Sequence, residues 1–203
     1  MGKTSLAKLL AERLQAKLIL EEPEENPFLE DFYKDPRRYA FQTQMFFLVS
    51  RYQELKEKTQ PDLFYEAIVS DYLFQKDRIF ANINLSDREL FLYDQVAPLL
   101  ERDLTNPDLV VYLQANPDVL HDRIRQRGRT YERLMDPKYL ATLTEAYNYF
   151  FFHYREAPLL VVNTNEMNFV HRRQDLEDLV ARIETHREGI AYVSPSAKAE
   201  ETP

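Results

Sequence analysis

Apolar positions recur along the chain with two periods. Leu6, Leu9, Leu10 and Leu14 follow i, i+3, i+4 and i+8, so the spacing predicts a helix over 4–15. "KLILEE" (17–22) reads as a short strand that ends in carboxylates. "NPFLEDFYKDP" (26–36) reads as a short helix bracketed by prolines, and 37–59 as a long helix. "EAIVSD" (66–71), "PDLVVYLQ" (107–114) and "PLLVVNT" (158–164) are apolar nearly throughout, not alternating, as in strands buried on both faces. Helices are predicted between and after them, over 86–100, from Pro117 to about Arg127, over 137–156 and over 170–187. In the first of these, Ser86 and Glu89 are spaced for a capping box. Buried strands separated by helices imply an α/β fold with a parallel sheet covered on both faces. In such sheets ligands bind at the carboxyl ends of the strands. Three of the strands run there into Glu21 and Glu22, Asp71, and Asn163 with Asn165.

Composition narrows the class. The chain has 203 residues, enough for one domain with a sizeable core, and the final stretch (191–203) is too polar to fold. A net charge of −8 argues against a nucleic-acid polymer as partner. The longest apolar runs fall well short of the roughly 20 residues that span a membrane. The absence of cysteine excludes disulfides and fits a cytoplasmic location, and the four histidines have no metal-ligand spacing. Positive charge is local instead: Arg123, Arg125, Arg127, Arg129 and Arg133 lie close together. They are either solvated surface or a site for a small anion.

Gly2-Lys3-Thr4 stands directly before the first helix. A phosphate loop aims backbone N–H groups and a helix N-terminus at an anion. Its lysine neutralises charge and its Ser or Thr binds Mg²⁺. Gly2, Lys3 and Thr4 match the second half of that loop; the strand and first glycine that would come before are not in this sequence. In the long helix, Gln44, Phe47, Leu48 and Arg51 share one face, where an amide and a guanidinium could read a planar base edge or simply face solvent.

Together these segments resemble the deoxynucleoside kinases, the deoxyadenosine, deoxyguanosine and deoxycytidine kinase type, from Gly2 to about Ile183. "EEPEENPF" (21–28) resembles the family's E-P-x-x-x-N-P-F segment, in which Glu22 matches the acid that approaches the 5′-hydroxyl. Tyr33, Gln44 and Arg51 fall at the spacing of the 3′-hydroxyl tyrosine, the base-reading glutamine and the base-pocket arginine. "RIFA" (78–81) places Phe80 as the aromatic that stacks on the base. "RIRQRGRTYE" (123–132) is similar to the lid, with Arg123, Arg127 and Arg129 closing on phosphate and Glu132 joining Tyr33. "NTNEMNF" (163–169) resembles the loop near ATP adenine and points to Asn165.

The resemblance implies an ATP- and Mg²⁺-dependent 5′-kinase of deoxynucleosides in nucleotide salvage, the leading one of three readings. The others are a nucleoside monophosphate kinase and a non-catalytic nucleotide-binding module. It further implies a P-loop NTPase-type three-layer fold over 1–190, sheet order 2-3-1-4-5, a lid at about 123–136, and a homodimer. Asp71 becomes the magnesium-side acid, although a register with Ser70 at that position is also open. The central strand of that order has no segment here, so the reading frame is expected to start about 10–15 residues upstream. The family's acid-Arg-Ser/Thr run reads "SDYLFQKDR" here. Tyr72 replaces the arginine, Arg78 is the candidate substitute, and either Lys76 or Asp77 faces the base.

Overall fold

The computed structural model describes residues 2–60, 63–129, 135–165, 167, 169 and 172–194. Eight helices alternate with five short strands among them. Helix α1 (Lys3–Leu14) leads into β1 (Lys17–Ile19). Pro23 then opens a 3-10 helix (Pro23–Glu25), which is why the strand stops earlier than the apolar run suggests. Helices α2 (Leu29–Lys34) and α3 (Pro36–Lys58) follow, the latter started by Pro36 and capped by the Asp35 carboxylate. Strand β2 (Ile68–Ser70) passes through a 3-10 helix (Phe74–Lys76) into α4 (Asp77–Asn84) and α5 (Asp87–Glu101). The Glu89 carboxylate accepts the Ser86 N–H at 2.9 Å at the start of α5, as the spacing predicts. Strand β3 (Val110–Gln114), α6 (Pro117–Arg127), α7 (Pro137–His153), β4 (Leu159–Asn163), α8 (Arg173–Thr185) and β5 (Ile190–Val193) complete the chain.

All strand pairs are parallel, in two sheets: β1-β2, and β3-β4-β5. The expected order needs a strand between β2 and β3, and the described chain supplies none there. Helix α1 links the two sheets instead. Its Leu6 and Leu10 share one apolar cluster with Leu113, Leu160, Val162, Val193 and Leu179, and Val69 of β2 packs against it. The alternate residues Val110, Tyr112, Leu159 and Val161 face the other way, onto Phe151 and Tyr154. The larger sheet is therefore apolar on both faces because α1 and α8 cover one face and α7 the other. A third cluster, Leu48, Phe74, Ala81, Tyr93 and Ala97, ties α3, α4 and α5 together.

Besides the two 3-10 helices, one α-helix and one strand have no counterpart in the sequence reading. The stretch 77–84 is helical, and Ile190–Val193 is a strand where ordered chain was expected to end at about 190.

Candidate active site

The carboxyl ends of the strands and the N-terminus of α1 converge on a cavity of about 790 Å³. Gly2, the N-cap of α1, has φ +73, and a Cβ there would come within 3.2 Å of the Phe169 ring. Both facts favour glycine at this position. Gly2, Lys3, Thr4 and Ser5 line one end of the cavity.

Asp71, at the end of β2, joins this end to the acidic strand end. Its Oδ2 accepts the Thr4 hydroxyl at 2.5 Å, and its Oδ1 accepts the Glu21 N–H at 2.9 Å. The second bond extends the β1-β2 ladder through a side chain and turns Glu21 inward. Ser70 is spent locally, its hydroxyl donating to the Tyr72 carbonyl at 3.0 Å, so of the two it is Asp71 that meets Thr4. A hydroxyl and a carboxylate oxygen side by side at a helix N-terminus are hard donors that fit Mg²⁺, which takes few protein ligands and keeps waters.

Glu21 lines the cavity, whereas Glu22 is exposed and does not. The acid that reaches the cavity therefore stands one residue before Glu22, the one expected from the sequence. Counted back from Asn26-Pro27-Phe28, the five-residue offset of the motif ends on Glu21, and the Pro at 23 misleads because it is shifted by one. Glu21 Oε1 accepts Arg51 Nε at 2.8 Å and Nη2 at 2.5 Å; Oε2 accepts Lys76 Nζ at 2.7 Å. Burial works to raise the Glu21 pKa, but Lys76, Arg51 and Lys3 together hold it well below the usual carboxylate range. Burial, with Lys3 and Arg51 as like charges, pushes Lys76 down to about 7 against the pull of Glu21.

Gln44 and Arg51 are both buried in α3 and converge on Asp77. Gln44 Nε2 donates to the Asp77 carbonyl at 2.9 Å and to Oδ2 at 2.7 Å; Arg51 Nη1 donates to Oδ1; and the Tyr93 hydroxyl donates to Oδ2 at 2.9 Å. Burial raises the Asp77 pKa while Arg51, Tyr93 and Gln44 oppose it. Both amide hydrogens of Gln44 are used, so its carbonyl oxygen is the atom left for a ligand. Arg51 also lies 4.6 Å over the Phe47 ring. Thus the i, i+7 pair predicted on one helix face is held at the cavity by Asp77, a partner the sequence reading did not assign. Arg78 does not stand in for the absent arginine, since it is exposed and paired with Asp94.

Tyr33, Phe80 and Asn165 line the cavity. Phe80 meets Tyr147 edge-on at 6.0 Å, and Tyr147 stacks on Tyr112 at 6.3 Å, giving the cavity an aromatic wall. Asn165 Oδ1 accepts the Asn116 N–H at 2.8 Å, tying the β4 end to the β3 end. Arg123, Arg127 and Arg129 line the cavity as well. Arg123 is anchored on Thr164, donating to its carbonyl at 2.7 Å and to its hydroxyl at 3.1 Å. Gly128, with φ +74, ends α6, and Arg129 then reaches Glu24 at 2.8 Å. Arg125 is exposed, as expected of a residue off the lid pattern. Glu132 lies outside the described residues, as does part of the expected lid.

A phosphate-binding helix start, an acid at the neighbouring strand ends and an amide-lined aromatic cavity define a phosphotransferase acting on a nucleoside-like acceptor. Residues 1–188 match the family described as "Deoxynucleoside kinase". Similar proteins include the deoxyguanosine kinase of Bacillus subtilis (strain 168), 33% identical over 187 residues that make up 90% of each chain. Another is the deoxyadenosine kinase of Dictyostelium discoideum, 32% identical over 92% of this chain and 76% of that one. Among solved structures, the deoxyadenosine kinase from M. mycoides with products dCMP and dCDP matches with a TM-score of 0.79 at 25% identity, over 91% of this chain and 94% of that one. The chain belongs to the deoxynucleoside kinase family. It is a transferase that phosphorylates deoxynucleosides at the 5′-hydroxyl with ATP as donor. Family membership disfavours both a monophosphate kinase and a non-catalytic module. In keeping with this, Arg51 is committed to ion pairs, and Arg37 and Arg38 are exposed and do not line the cavity.

Proposed function

We propose that the acceptor is a purine deoxynucleoside, with Glu21 as the carboxylate that orients its 5′-hydroxyl and takes its proton. The carrying observation is that Glu21, rather than Glu22, lines the cavity and is held there by Arg51 and Lys76. The 5′-oxygen forms a bond to the γ-phosphorus as the bond to the leaving ADP breaks, and the hydroxyl proton passes to Glu21. A carboxylate this acidic is a weak base, which suits a loose transition state that asks for alignment more than early proton removal.

Lys3 and the α1 N-terminus cradle the β- and γ-phosphates. Arg127 and Arg129, with Arg123 fixed at the base of the lid, neutralise charge on the transferred group. Magnesium held by Thr4 and Asp71 would screen the β- and γ-phosphate charge. Asn165 lies toward the adenine of ATP. Tyr33, with Glu132, receives the 3′-hydroxyl, and Phe80 stacks on the base. The Gln44 carbonyl oxygen accepts from the base edge.

The purine preference rests on that acceptor and on the names of the relatives, which include deoxyguanosine and deoxyadenosine kinases. The domain is assigned to 1–190 with the lid at about 123–136. The setting is nucleotide salvage in the cytoplasm, and the enzyme is a homodimer to which exposed Tyr149 and Phe152 of α7 contribute.

The test is to incubate the protein with Mg-ATP and each of the four deoxynucleosides, and separately with deoxyguanosine monophosphate. Monophosphate forming fastest from deoxyguanosine or deoxyadenosine is the expected outcome. A pyrimidine preference contradicts the base assignment.

A further inference from the structure

The carboxylate of Glu21 has about four lone-pair positions. Arg51 fills two of them on Oε1 through Nε and Nη2. Lys76 fills one on Oε2 at 2.7 Å. The one remaining position on Oε2, among the described residues, is the place for a ligand hydroxyl. Lys76 therefore determines which lone pair is left, and where it points.

Its own placement is over-determined. The side chain is 5% exposed and lines the cavity beside Glu21. The 3-10 helix Phe74–Lys76 delivers it one residue before Asp77, which pairs with Nη1 of the same Arg51 guanidinium. The ammonium sits 5.7 Å from the Tyr72 ring centroid, and the Tyr72 hydroxyl is pinned to Glu54 at 2.7 Å. An aromatic face supports a buried ammonium where a second carboxylate would neutralise it outright.

We propose that Lys76 is a positioning residue for phosphoryl transfer: it fixes Glu21 Oε2 so that its last open lone pair meets the substrate 5′-hydroxyl. Tyr72, standing where the family's motif has an arginine, serves as the platform for that lysine. Acting through Glu21, Lys76 affects turnover more than binding. Burial, with Lys3 and Arg51 as like charges, pushes its pKa down to about 7 against the pull of Glu21, whereas an arginine in its place stays charged.

The proposal rests on Glu21 being the hydroxyl-facing carboxylate, and the experiment separates the two. Lys76→Met, Lys76→Gln, Lys76→Arg and Glu21→Gln are prepared in the full chain, and kcat and KM are measured for deoxyguanosine and for ATP, with melting curves alongside. In Lys76→Met the expected result is a kcat lower by about 10²-fold, the cost of a misplaced reacting group, with both KM values within about threefold of wild type. Lys76→Arg regains at least about a tenth of the wild-type kcat. If Lys76→Met does not fold, Lys76→Gln, which keeps an N–H donor without the charge, is read in its place. Wild-type kcat in the neutral variant, with Glu21→Gln inactive, overturns the role of Lys76 and leaves that of Glu21 standing. A loss that appears wholly in KM, or that Lys76→Arg fails to recover at all, also overturns it. Near wild-type activity in Glu21→Gln overturns the underlying assignment of Glu21.

Discussion

Glu21 and Asp77 divide Arg51 between them, and this shared guanidinium connects the proposed chemistry end of the cavity to the proposed base end. Removing it strands two buried carboxylates, so Arg51→Met is expected to destabilise the fold by about 3–5 kcal/mol in urea titration. A loss below about 1 kcal/mol would show that the carboxylates find other partners. The pH dependence follows from the depressed pKa of Glu21. A carboxyl whose folded pKa lies below its ordinary 4.5 adds stability that is complete above that value and is lost as pH falls through the region beneath it. Melting temperature measured from neutral to acid pH should drop more steeply below about 4.5 in wild type than in Glu21→Gln. Parallel curves would contradict the buried pairing. At this scale the sequence was half legible. Gln44 and Arg51 stand out by spacing. For Lys76 and Asp77 the sequence left open which one faces the base; that both are buried was not legible, because burial of two adjacent charges becomes affordable only through Glu21 and Arg51, which lie 55 and 26 residues away.

Helix starts and stops hold the site at the level of elements. Gly2 begins α1 in a left-handed conformation beside Phe169, and Gly2→Ala brings both backbone strain and a close Cβ contact. The strain is about 1–2 kcal/mol, so ATP KM is expected to rise several-fold with little change in the deoxynucleoside KM. An unchanged ATP KM would mean that the phosphates do not sit on this turn. Long helices with a single apolar face were readable from their periodicity, with α6 matching its predicted span and α3 shifted by one residue at each end. Helix α4 was not, since its first residues carry the buried charges just described. Strand β5 was missed for a different reason. It has four residues, sits at the sheet edge after Gly189, and leaves Tyr192 exposed, so it lacks the continuous apolar run that marks β3 and β4.

The whole molecule depends on α1 twice, because one helix presents the turn proposed to hold the phosphates and also joins the two sheets. Leu10 belongs to the cluster that contains Leu113, Leu160 and Val162. Leu10→Ala is expected to cost about 2–5 kcal/mol and to weaken ATP binding with it, whereas a core truncation remote from α1, such as Phe151→Ala, should lower stability while sparing ATP KM. Equal effects of the two on ATP KM would contradict the double role. Parallel α/β architecture and a cavity at the strand ends were legible from buried strands and their acidic ends. Which of two adjacent acids enters the site was not, because it depends on the Asp71 carboxylate capping the end of a three-residue strand. That choice is also the most direct test of the account. Rates of deoxynucleoside monophosphate formation are compared for wild type, Glu21→Gln and Glu22→Gln at saturating Mg-ATP and deoxyguanosine. The account predicts that Glu21→Gln loses about 10²–10⁴-fold in kcat while Glu22→Gln stays within about twofold of wild type. The reverse ranking would contradict it.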